Sequence, residues 1–258
     1  MLYIRGGGNN PAPFFNININ MEPRIVVGDT IGKHNEKLEE SIIRVEKSKM
    51  YKDNSTIIVC PTRGMFPTRV VQSWMKLMKP MNQQVVGPIF AESMKVDVAY
   101  ESLFEYILSN DYLKKFKYVL TIEEDNLPPP DGLLKLYEHM DEYDVVSGLY
   151  WAKGDLGFPM IFGDPSDPED FKPVVPKPDT VQQANALGMG FNLFKLDMFN
   201  HIPKPWFKTV EGKDEKGGIS GITQDMYFYQ KAGKLGYKFA CDTSILVGHY
   251  DSKKDVIW

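Results

Sequence analysis

The rhythm of apolar and polar residues changes several times along this chain, and those changes mark its elements. Thr56-Ile57-Ile58-Val59-Cys60 is apolar on successive positions and is broken by Pro61-Thr62-Arg63-Gly64. Such a run predicts a short strand covered on both faces, as a parallel sheet requires. Arg69 to Met78 then follows a helical spacing, Gln84 to Phe90 predicts a second strand, and Val98 to Leu108 a second helix. Tyr118 to Leu127 predicts a buried strand that ends in Glu123-Glu124-Asp125. Pro128-Pro129-Pro130 must stop it, because proline cannot continue a sheet ladder. Leu133, Leu134, Leu136, Tyr137 and Met140 predict a helix with Asp131 as its N-cap. A strand over Tyr143 to Tyr150, a helix over Met226 to Leu235 and a strand over Tyr237 to Cys241 complete the pattern. A last apolar run, Ile245 to Val247, leads into Gly248-His249-Tyr250-Asp251. Strands alternating with helices define an α/β class with a mostly parallel sheet and helices on both faces, a three-layer α/β/α arrangement.

The ends and loops divide differently. Residues 1–54 read as an N-terminal extension, an Asn/Gly/Pro-rich arm followed by a helix over Lys33 to Met50, and residues 55–258 as one catalytic-type domain. The Asn/Ile alternation from Asn16 to Asn20 suits an edge strand or an arm docked on a partner subunit, which would make a homo-oligomer. Gly163 to Thr180, dense in Pro and Asp, predicts a long surface excursion. Lys208 to Gly221, charged and Gly-rich, predicts either a lid or a plain insertion, since long loops in compact domains are functional or disordered.

Composition narrows the classes. With 258 residues and 43% hydrophobic content the chain can bury one substantial core. A net charge of −4 leaves no basic footprint for nucleic acid. The two cysteines, Cys60 and Cys241, each lie in an apolar run and suit buried thiols of a cytoplasmic protein better than a disulfide framework. There is no signal-type apolar stretch and no apolar segment of the roughly 18 residues needed to span a bilayer.

Several motifs fail on inspection. Gly188-Met189-Gly190 lacks a third glycine because Leu193 stands there, and Gly218-Ile219-Ser220-Gly221 lacks the closing glycine of a nucleophile elbow because Ile222 stands there. No phosphate loop and no zinc-type spacing occurs. What is left is a set of polar residues at strand ends: Thr62 and Arg63, Glu92, Glu123 to Asp125, Asp225 and His249. In open α/β sheets ligands bind at the carboxyl ends of the strands. Three adjacent carboxyl groups repel one another unless a cation or hydrogen-bond donors share the site. The plainer alternatives are helix capping by the acids and by Asp225, a helix-start surface arginine at Arg63, and a strand-end histidine at His249.

In chain order these residues resemble the GT-A class of nucleotide-sugar glycosyltransferases, especially the family-2-like group, over Ser55 to Asp251. Pro61-Thr62-Arg63 is similar to the segment that meets the nucleotide, and Glu123-Glu124-Asp125 to an acidic D-x-D-type motif with Glu in place of the first Asp. Ala186 to Phe194 resembles the glycine-containing strand along the donor sugar. Thr223-Gln224-Asp225 resembles the family's "E-D" segment with Gln in place of the first acid, and Gly236-Tyr237-Lys238 through Gly248-His249 its closing pattern.

The resemblance implies a metal-dependent transfer of a sugar from a UDP- or GDP-linked donor to a carbohydrate or other hydroxyl acceptor. Asp125 and His249, with Glu123, would hold Mn²⁺ or Mg²⁺. Thr62, Arg63, Glu92, Glu123, Glu124, Gly188 and Gly190 would meet the nucleotide and donor, Glu124 only as a neighbour of the other two acids. Asp225 would be the general base of an inverting reaction. Trp151 and Gln224 are acceptor-site candidates, and Trp206 and Phe207 are further aromatics beside loops. Two alternatives stand beside this reading: a non-catalytic carbohydrate- or nucleotide-binding protein on the same fold, for which Glu123 and Gln224 speak, and a sugar-phosphate nucleotidyltransferase, which Pro61 to Met65 matches poorly.

Overall fold

The computed structural model describes residues 24–26, 52–154, 157–213 and 219–258. The expected arm and the helix over Lys33 to Met50 lie outside the described residues. Strand β1 (Arg24–Val26) precedes β2 (Thr56–Thr62), α1 (Thr68–Lys76), β3 (Val85–Glu92), α2 (Val96–Ser109) and β4 (Tyr118–Ile122). After β4 come β5 (Asn126–Leu127), α3 (Gly132–Glu138) and β6 (Val145–Leu149). Short strands β7 (Ile161–Phe162), β8 (Val181–Ala184) and β9 (Ala186–Leu187) lead to β10 (Phe191–Lys195) and α4 (Met198–His201). The chain closes with β11 (Val210–Lys213), β12 (Ile219–Ile222), α5 (Gln224–Lys234), β13 (Phe239–Leu246), β14 (Gly248–Asp251) and β15 (Val256–Ile257).

The main sheet has eight strands in the order β1-β3-β2-β4-β10-β6-β13-β8. β2 runs parallel to β3 and β4, and β6 parallel to β13; β10 lies antiparallel between β4 and β6. Five strands therefore point one way, and β1, β8 and β10 point back. The α/β expectation holds, with an antiparallel insertion between β4 and β6.

Alternation along the strands explains the layers, since successive side chains of a strand point to opposite faces. Ile57 and Val59 join one apolar cluster, with Tyr100, Leu103 and Phe104 of α2 and Phe228 of α5. Ile58 and Cys60 join the other, with Leu133 and Leu136 of α3. Each face thus has its own helices, which is why the strands read as continuous apolar runs. On the first face Phe199, Phe207 and Phe228 stack at centroid separations of 5.4 Å (Phe199–Phe228) and 5.1 Å (Phe207–Phe228). Trp206 and Phe207, in the irregular chain between α4 and β11, are accordingly buried core.

Other expectations change as well. The runs Tyr237–Cys241 and Ile245–Val247 are one strand, β13, with an irregularity between Asp242 and Leu246. The glycine-rich segment from Lys208 to Gly221 carries an antiparallel hairpin, β11 with β12, pairing Val210 with Ile222 and Lys213 with Ile219. Asp131 stands at the N-cap position of α3 but makes no side-chain cap hydrogen bond; its carboxylate pairs with Lys135 at 3.1 Å. Thr223, not Asp225, holds the N-cap position of α5. No helix among the described residues is long and apolar enough to cross a membrane.

Candidate active site

The site forms where β2 and β4 end and where β14 returns. β4 stops at Ile122, and the three acids lie in a tight turn in which Asn126 N–H donates to the Glu123 carbonyl at 3.0 Å. β5 then pairs with β14, setting His249 opposite Asn126, and Tyr250 N–H donates to the Asp125 carbonyl at 2.7 Å. A residue from the far end of the sequence is thus fixed beside the acids by backbone pairing.

Each acid takes a different partner. Glu124 accepts from Thr62 Oγ1 at 2.7 Å, from Arg63 N–H at 2.8 Å, and from Arg63 Nε. The sequence reading had Glu124 as a neighbour of the other acids; it is instead the clasp that fixes the loop after β2. The reason is that its side chain alone turns back toward that loop. Thr62 is buried in this clasp, its hydroxyl also accepting from Gly64 N–H at 2.9 Å.

Asp125 faces a histidine and a lysine. Lys153 Nζ bonds its Oδ2, and His249 Nε2 stands 3.6 Å from Oδ1, an ion-pair distance and too long for a hydrogen bond. Burial works against charge on Asp125, but His249 and Lys153 outweigh it and hold the carboxyl at about 2. His249 Nδ1 lies 2.8 Å from the Trp151 carbonyl. A carbonyl only accepts, so Nδ1 carries the hydrogen and Nε2 is turned toward Asp125. Trp151 contributes to the site through this carbonyl, while its half-buried ring packs on the core.

Glu123 points inward. Tyr100 of α2 donates its hydroxyl to Oε1 at 3.0 Å. Burial first, and then the charge of Asp125, push its carboxyl up to about 7, with His249 opposing and Asp225 adding to the rise. Glu123, Asp125, His249 and Asp225 therefore share one electrostatic neighbourhood. Asp225 is buried in the first turn of α5, where Oδ1 takes Met226 N–H at 2.9 Å and the Thr223 hydroxyl. Burial raises its carboxyl above the ordinary range despite those bonds.

Gly188 and Gly190 are explained by packing. A Cβ on Gly188 would stand 2.2 Å from the Tyr150 hydroxyl, and one on Gly190 2.7 Å from Asn126 Oδ1. Tyr150 OH in turn accepts from Gly190 N–H at 2.8 Å. Glu92 ends β3 opposite Thr62, and Gln224 is the first residue of α5, partly exposed.

A cavity of about 230 Å³ is lined by Pro61, Thr62, Arg63, Met94, Val96 and the three acids. A second, of about 500 Å³, adds Met65, Phe66, Lys153, Tyr250 and Ser252. Arg63, Glu124 and Asp125 line both, so the two meet at the clasp. A further cavity of about 200 Å³, between α5 and β8, contains none of the candidate residues. Among the described residues no group of three or more His, Cys, Asp or Glu side chains could hold a metal ion. Asp125 and His249 face each other, and no third side chain of these types among the described residues joins them. Sequence reasoning missed Lys153 and Tyr100: one is a single lysine in a loop, the other an apolar-looking position of a helix.

No protein-family model and no curated protein matches the chain. Solved structures do. A197 from STIV matches over 79% of this chain and 92% of its own, with a TM-score of 0.55 and 18% identity. GalNAc-T7 with UDP, GalNAc and Mn²⁺ matches over 77% of this chain and 44% of its own, at 12% identity and a TM-score of 0.44. S. aureus TarS in complex with UDP-GlcNAc matches over 74% of this chain and 57% of its own, at 12% identity and a TM-score of 0.40. The first likeness, together with the strand order, shows the fold: a GT-A-like α/β sheet.

Proposed function

We propose that the chain is a glycosyltransferase that moves a sugar from a nucleoside-diphosphate donor, UDP- or GDP-linked, to an acceptor hydroxyl. The observation that carries this is the facing pair Asp125 and His249, next to Glu123 at the carboxyl end of a GT-A-like sheet, with the charge of Asp225 felt at Glu123. The nucleotide would enter along Pro61, Thr62, Met94 and Val96. A divalent cation held by Asp125 and His249, Mn²⁺ or Mg²⁺, would supply positive charge to the leaving diphosphate. The fixed tautomer of His249 and the ionised state of Asp125 suit that role.

Asp225 acts as the base. It accepts the proton of the acceptor hydroxyl as that oxygen bonds to the anomeric carbon, and the bond from that carbon to the diphosphate oxygen breaks with its electron pair leaving on the diphosphate. A buried carboxylate whose pKa is raised is a stronger base once ionised. One displacement of this kind inverts the anomeric centre. A cytoplasmic setting belongs to the same reading, in keeping with Cys60 and Cys241 as buried free thiols.

Asp225→Asn tests the assignment: turnover should fall by about 10²–10⁴-fold with donor binding intact. Unchanged turnover removes Asp225 as base. Calorimetric titration with UDP, GDP and CDP, with and without Mn²⁺, tests the class itself, and the reading fails if none of them binds under either condition.

A further inference from the structure

The cation already bonded to Asp125 belongs to the chain itself. Lys153 lies in the loop after β6, and its ammonium bonds Asp125 Oδ2 while His249 faces Oδ1. This is not an ordinary surface pair, since the two side chains keep only 29% and 21% of their exposure. Lys153 also lines the larger cavity with Arg63, Tyr250 and Ser252, whereas Met94 and Val96 line the smaller one. A divalent ion on Asp125 and His249 would stand next to that ammonium, and like charges at such range repel.

We propose that Lys153 and a divalent cation compete for Asp125, and that Lys153, released by the cation, pairs with the diphosphate of the donor. This rests on the transferase reading and deepens it: the site carries a resident positive charge and hands it from Asp125 to the leaving group. A lysine suits the exchange, because its ammonium is a compact point charge on a flexible stem.

The test uses the full chain with Lys153→Met and Lys153→Arg. Mn²⁺ is titrated calorimetrically into nucleotide-free protein, and UDP is titrated into protein saturated with Mn²⁺. Lys153→Met should bind Mn²⁺ about tenfold more tightly than wild type, because the competitor is gone, and UDP in saturating Mn²⁺ about tenfold more weakly. Lys153→Arg, which keeps the charge, should stay within about threefold of wild type in both titrations. Unchanged or weaker Mn²⁺ binding by Lys153→Met overturns the competition. Unchanged UDP affinity in saturating Mn²⁺ overturns the pairing with diphosphate. Should wild type bind no nucleoside diphosphate at all, the transferase reading falls, while the Mn²⁺ titration by itself still decides the competition.

Discussion

Glu123 makes a quantitative demand on stability. Its carboxyl is lifted from 4.5 to about 7 by burial and by Asp125. The folded chain therefore holds a proton that the unfolded chain has released, and stability declines as pH rises from about 4.5 to about 7. Each pKa unit corresponds to about 1.4 kcal/mol, so the cost is about 3 kcal/mol above pH 7. Glu123→Gln keeps the shape and an oxygen for the Tyr100 hydroxyl but has no charge to bury. In urea unfolding with EDTA present, the variant should exceed wild type by about 3 kcal/mol at pH 8 and by less than about 1 kcal/mol at pH 5. The sign follows from direction: a raised acid destabilises where it is ionised, so the advantage grows with pH. Equal differences at the two pH values would show that Glu123 ionises normally and that its burial against Tyr100 is overstated. A loss of stability at pH 8 would show that the ionised carboxylate is itself favourably paired.

Two further perturbations test the frame around the acids. Gly188→Ala should cost roughly 1–3 kcal/mol by overpacking, because its Cβ would meet the Tyr150 hydroxyl at 2.2 Å. Tyr150→Phe alone should cost about 1 kcal/mol through the lost bond to Gly190 N–H, and the double variant should be more stable than the sum of the two losses, as read by a double-mutant cycle in urea. Additive losses would mean that the hydroxyl is not what limits position 188. His249→Ala should weaken Mn²⁺ binding by about 10–100-fold in calorimetry, and should lower the unfolding free energy by about 1 kcal/mol through the lost bond to the Trp151 carbonyl, while the β5–β14 pairing, made by backbone, persists.

The sequence made the sheet legible because its two faces are both covered: Ile57 and Val59 serve one core, Ile58 and Cys60 the other, and the run reads as continuous. The strand-end candidates were legible for the same reason, since polar residues that end such runs stand out. Trp206 and Phe207 lie in irregular chain beside Pro203 and Pro205, and their rings pack in the core with Phe199 and Phe228. The β11–β12 hairpin was hidden by Gly212, Gly217, Gly218 and Gly221, which carry no side-chain pattern at all. Asp225 looked like a cap because a helix does begin there, but two positions earlier Thr223 takes the N-cap and leaves the acid in the first turn.

The three acids show where pattern reasoning stops and where it had more to give. Successive residues leaving a strand point to opposite sides, so the first and third acids should share a side and the second should not. The structure follows that alternation. Glu123 and Asp125 interact with each other, and Glu124 turns to Thr62 and Arg63. The alternation accounts for the side Glu124 faces, but not for the clasp it makes with Thr62 and Arg63. Nor does it give the other partners: Lys153 reaches Asp125 from 28 residues away, His249 from the returning strand β14, and Tyr100 reaches Glu123 from the buried side of α2. Each of those pairings depends on which elements the sheet order makes neighbours. The adjacent carboxyls then part, one held at about 2 by cations and the other raised to about 7 by burial. Two acids two residues apart in one turn thus differ at neutral pH, Asp125 ionised and Glu123 about half protonated, which eases the repulsion between them.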